Sequence, residues 1–213
     1  MVSKKFSFLK KIFIRIGKHI GWKKAKKFNT YTAAKWCQAC LEEIIKLNDD
    51  NVVEGVEEFE GMVKSGAAEL VGRIFLEPIV FGIKPTILFS KNLSDIGFTA
   101  KQALFFGEGP YSKKMFKSVK FFSADESDDK IAKLVFTIKK CMFCCEPEKF
   151  DKYPLKDMED KTFGNFFCKL FEAMFQYIIE YSGISNYKTE SKETKCLLHG
   201  DEFGEWTIWF KKI

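Results

Sequence analysis

Histidine is almost missing from this chain: only His19 and His199 occur in 213 residues. General-base and nucleophile-triad chemistry lean on histidine. His19 lies in a lysine-rich segment and His199 in a turn beside Asp201 and Glu202, so neither has the setting of a catalytic base. A Walker-type or dinucleotide-binding glycine loop is also lacking, and the expectation is that the chain is not an enzyme. There is no long apolar run free of charge. The most apolar region, 62–89, is interrupted by Lys64, Glu69, Arg73, Glu77 and Lys84, a density that excludes a spanning helix. The seven cysteines are odd in number, two of them adjacent at Cys144 and Cys145, and no cleavable signal segment is recognisable. A disulfide framework is thereby disfavoured, and the expected location is cytoplasmic, in a reducing compartment.

What the chain does have is phenylalanine, 24 of 213 residues. A core of large flat side chains leaves irregular gaps, so a pocket is plausible on composition. The net charge of +6 conceals an asymmetry. Residues 1–28 carry ten Lys or Arg and no acid, leaving 25 basic and 29 acidic groups, a net of −4, in the remaining 185. The chain therefore divides into a basic segment, 1–28, and one domain, 29–213.

In the basic segment Phe6, Leu9, Phe13, Ile16 and Ile20 recur at helical spacing, with Lys4, Lys11, Arg15 and Lys18 on roughly the opposite side. Together with Lys5 and Lys10 this is the pattern of a helix at an acidic membrane surface. A surface helix docked on its own domain with a solvated lysine face is the equal alternative. Nucleic acid is disfavoured, because the stripe lacks polar groups for base readout.

Two more helices follow, over 30–47 and 52–75. The first is expected to turn Trp36, Cys37, Cys40, Leu41 and Ile44 inward. The second carries Val56, Phe59, Val63, Leu70 and Ile74 among many small residues that allow close helix approach. Cys37 and Cys40 form a lone C-x-x-C, read as core packing rather than a metal or redox pair. Pro78 and Pro85 predict a break, and Asn92 or Ser94 caps a helix running to about Phe106. The period then changes to two. Residues 115–123 and 131–139 predict a hairpin, and 141–154, with Cys141, Cys144 and Cys145, a loop. A helix over 163–181 follows, with Phe167, Leu170, Phe171, Met174, Ile178 and Tyr181 inward, then a closing hairpin over 187–210. The fold class is α+β: N-terminal helices, then an antiparallel sheet of two hairpins separated by a long helix.

That order, with E-x-x-C at Glu193 to Cys196 and Gly-Asp at Gly200 to Asp201 in the last hairpin, resembles the 4-vinyl-reductase-type domain. The resemblance extends to the superfamily that includes the core subunits of TRAPP vesicle-tethering complexes. It implies a homodimer, or a hetero-oligomer of related subunits, with an apolar cavity for a small aromatic or acyl ligand, here lined by Phe167, Phe171, Met174 and Ile178. It also implies a zinc set in which Cys168, Glu193 and Cys196 are the matching residues. The fourth position falls at Gly204, which has no ligating atom. Zinc in a structural site takes four ligands, so Cys168 and Cys196 are read first as small buried side chains and zinc as the lesser alternative. The leading expectation is a non-catalytic module for a small apolar ligand or for TRAPP-like assembly, peripheral to a membrane. A ligand-free tethering subunit and a cysteine- or zinc-dependent sensor are the alternatives.

Overall fold

A computed structural model of the chain describes residues 5–25, 30–78, 84–109, 112–140 and 162–213. The order is α1 (Phe8–Ala25), α2 (Thr30–Leu47), α3 (Val52–Leu76), two short 3-10 turns (Pro85–Leu88 and Leu93–Asp95), α4 (Ile96–Glu108), the single turn α5 (Ser112–Met115), β1 (Phe116–Phe122), β2 (Ala132–Ile138), α6 (Phe163–Tyr181), β3 (Tyr187–Lys195), a 3-10 turn (Leu197–His199) and β4 (Gly204–Lys212). The strands form one antiparallel sheet in the order β1-β2-β4-β3. The α+β class and the hairpin-helix-hairpin order read from the sequence are those of the folded chain.

Alternation decides which face of the sheet is covered. Ala132, Leu134, Phe136 and Ile138 on β2 and Trp206, Ile208 and Phe210 on β4 are all buried. Their register partners Val119 and Phe121 on β1 and Thr189, Ser191 and Glu193 on β3 share that face. Helix α6 lies on it, with Phe167 stacked on Trp206 at 5.9 Å and Phe171 stacked on Phe136 at 5.3 Å between centroids. Helix α3 packs on α6 and α2 on α3. Phe59 meets Phe166 edge-on at 4.8 Å across the α3–α6 contact.

Local chemistry sets the junctions. The α2–α3 turn places Asp49 and Asp50 in the left-handed region, which short polar side chains tolerate. Asn51 then caps α3, its side chain accepting from the Glu54 amide. A Cβ on Gly55 would come within 2.8 Å of the Ile45 backbone, so the close α2–α3 approach needs glycine there. At the far end α6 stops at Gly183, φ 75°.

Two inward assignments are corrected. Trp36 is 70% exposed, because the face of α2 that meets α3 centres on Leu41, Ile44 and Ile45. Tyr181 is 46% exposed at the last turn of α6, where it stacks on Tyr177. The cysteine loop (Cys141, Cys144, Cys145), Lys4 and the 79–83 break lie outside the described residues, as do the side chains of Lys18, His19, Ile20 and Cys37.

Candidate docking surface and buried glutamate site

Helix α1 is docked on α4, and the docking side is not the one with the longest apolar stripe. Asp95, just ahead of α4, is 3% exposed. Its Oδ2 accepts from the Phe6 amide at 3.0 Å and from Ser90 Oγ at 2.9 Å, while Oδ1 pairs with Lys11 Nζ at 3.2 Å. Phe6 and Ile14 are buried, and the Phe6 ring meets Phe98 edge-on at 5.7 Å. The Lys11 ammonium and Arg15 guanidinium lie over Phe98 at 5.7 and 5.8 Å, and the Lys10 ammonium over Phe6 at 4.7 Å. Burial pulls the Lys10 pKa below the ordinary lysine value, with the Asp95 charge opposing it. Leu9, Phe13 and Ile16 are 76, 61 and 62% exposed, with Phe8 exposed beside them. Of the residues read as membrane-binding, these three, Lys5 and Arg15 are exposed and Lys10 is half-buried; Phe6 goes into the core and Lys11 to Asp95.

The second constellation sits at the start of α6. Thr162 caps the helix, its Oγ1 accepting from the Asn165 amide at 3.2 Å and donating to Glu193 Oε2. Asn165 Oδ1 accepts from the Glu193 amide at 2.8 Å, and Trp206 Nε1 donates to Glu193 Oε1 at 3.1 Å. Cys196 also hydrogen-bonds the carboxylate. A Cβ on Gly164 would fall on the carboxylate itself. Burial raises the Glu193 pKa above the ordinary glutamate value; the bonds from Thr162, Trp206 and Cys196 pull the other way without cancelling it. Burial, and then the Glu193 charge, push the Cys168 thiol well above its ordinary pKa. The fold thus gathers Cys168, Glu193 and Cys196 into one neighbourhood. Among the described residues, however, no group of three or more His, Cys, Asp or Glu is arranged to hold a metal ion. With its carboxylate taken by Thr162 and Trp206 and no further ligand group among the described residues, the set as described does not fit zinc. His199 is exposed in the 3-10 turn that follows.

Phe167 and Ile178 are buried, Phe171 and Met174 partly so. Phe167 and Phe171 both contact Trp206, so a ligand there would displace ring contacts. An open groove of about 510 Å³ lies elsewhere, between α4 and β1, lined by Phe98, Phe121, Lys101 and Lys120 among others. No described helix is long and apolar enough to cross a membrane.

Sequence reasoning missed Asp95, Ile14, Thr162 and Asn165. Asp95 carried one usable signal, an acid lying between an Asn cap and an apolar run; its partner 89 residues away carried none.

No family model matches the sequence, and no curated protein does. Among solved structures the chain is similar to trafficking protein particle complex subunit 3 from Naegleria fowleri, a structure described as covalently bound to palmitic acid. The TM-score is 0.52 at 13% identity, over 86% of this chain and 98% of that one. The fold is TRAPP-subunit-like. This likeness supports the TRAPP part of the resemblance read from the sequence and gives none to the 4-vinyl-reductase part.

Proposed function

We propose that this chain is a non-catalytic assembly module of the vesicle-tethering type, which pairs with a second copy through its α2–α3 hairpin and sits on an acidic membrane surface through α1. The observation that carries the assembly reading is a pair of large apolar side chains left open on α2 of a TRAPP-like fold, with the exposed Glu43 between them on the same side. Trp36 and Leu47, eleven residues apart and so three turns along one side of α2, are 70 and 83% exposed. Val53 and Met62, on opposite sides of α3, are exposed as well. Large apolar side chains aligned on one helix face are the usual core of a protein interface. Sedimentation equilibrium of the full chain tests this. The expected mass is twice the 24.7 kDa of one chain, falling to one chain when Trp36 and Leu47 are both replaced by Glu.

The palmitic acid named in the neighbour's description favours a second reading, in which the domain holds a small apolar acyl ligand against Phe167, Phe171, Met174 and Ile178. A thiol as well buried as Cys168 is a poor nucleophile, so the ligand would be held without a bond to it. Solvent extraction and mass spectrometry of the purified protein should then release a free acyl species. An empty extract would discard this second reading and leave the assembly reading standing.

A further inference from the structure

Resting on the membrane reading of α1, we infer that the helix meets an anionic bilayer while still clamped to its domain at Asp95, Ile14 and Phe98, with the Leu9–Phe13–Ile16 stripe turned outward. A helix docked on a soluble domain ordinarily buries its apolar stripe and exposes its charges. Here Ile14 is buried as expected, but the longer stripe of Leu9, Phe13 and Ile16 is exposed while Lys11 faces the domain. At 100° per residue, Lys11 and Ile14 stand about 200° and 140° from Leu9. Those are the positions engaged below, one by Asp95 and the other by the core. The Phe6 amide, also held by Asp95, ties down the chain just before the helix, and Phe98 takes the Phe6 ring and two cations. Rotation of α1 is therefore fixed from several sides, and none of these contacts needs to break for Phe13 or Ile16 to reach a new surface.

Charge selects the occupant. Residues 1–28 hold ten Lys or Arg and no acid, which complements a phosphatidylserine-bearing leaflet and resists pairing with a second copy of the same helix. A helix already folded and oriented meets the bilayer without the ordering cost that a disordered anchor carries. It also gives the domain one fixed orientation on the membrane.

The test uses the full chain with vesicles of phosphatidylcholine alone and of an equal mixture with phosphatidylserine, reading flotation and amide hydrogen exchange over α4, residues 96–108. Flotation is expected with the mixed vesicles only. Replacing Phe13 and Ile16 by Glu should weaken it by about a hundredfold or more, since two inserted apolar side chains are lost. Exchange over α4 should be the same free and bound. Faster α4 exchange on vesicles would mean that α1 leaves its domain, overturning the clamp while sparing the membrane reading. Absence of wild-type flotation would overturn both. So would a Phe13→Glu/Ile16→Glu variant whose mass without vesicles falls to half that of the wild type, since the stripe would then be covered by another copy.

Discussion

Replacing Gly164 by alanine separates local propensity from tertiary packing, because the two predict opposite signs. Alanine in a helix is favoured over glycine by up to about 1 kcal/mol, so propensity alone predicts a gain. Gly164, however, lies in the first turn of α6 against the Glu193 carboxylate, where a Cβ has no room. Glu193 must move, and Thr162 Oγ1 and Trp206 Nε1 then lose their acceptor in a buried setting. Each buried donor left unsatisfied costs about 1–3 kcal/mol. Set against the propensity gain, the net loss is about 3 kcal/mol. For a chain of this size that lowers Tm by on the order of 10 °C. Urea unfolding measures the same difference as a shift in midpoint with unchanged slope. Gly61→Ala is the control: it lies in α3 with nothing within 4 Å of a Cβ, and it should stabilise by up to about 1 kcal/mol. A Gly164→Ala protein as stable as wild type would refute the packing argument.

Glu193 predicts a pH signature. Its folded pKa lies above the unfolded value, so the folded state binds the extra proton, and the group's contribution to stability falls as pH rises from the ordinary glutamate pKa through the raised one. The stability difference between wild type and Glu193→Gln should therefore shift against the wild type as pH is raised across that window; a pH-independent difference would contradict the burial. Cys168 should resist alkylation in the native protein and react only on unfolding, whereas half-buried Cys40 reacts natively; peptide mapping of the labelled thiols checks this, and rapid native labelling of Cys168 would contradict its placement.

The element order was legible because each signal was local. Period-two runs predicted 115–123 and 131–139, and the strands occupy Phe116–Phe122 and Ala132–Ile138. The stripe from Phe167 to Ile178 likewise marked α6. Side-chain orientation was less legible where two faces competed. On α1 periodicity leaves the apolar stripe open between a membrane and the domain; Asp95 engages Lys11 and the Phe6 amide from 84 and 89 residues away, and the stripe faces outward. Trp36 fits a core stripe by its spacing, and only the position of α3 decides which stripe is covered. At the glutamate site, the E-x-x-C spacing pointed to the right neighbourhood. The donors that fill the carboxylate come from the α6 cap and from β4, and no short motif joins them.

The central claim, that the domain is an assembly module pairing through α2–α3, is met most directly by sedimentation equilibrium of the wild type beside Trp36→Glu/Leu47→Glu. The account predicts twice the 24.7 kDa chain mass for the first and a single chain for the second. A wild type that sediments as a single chain, or a variant that keeps the doubled mass, would contradict it.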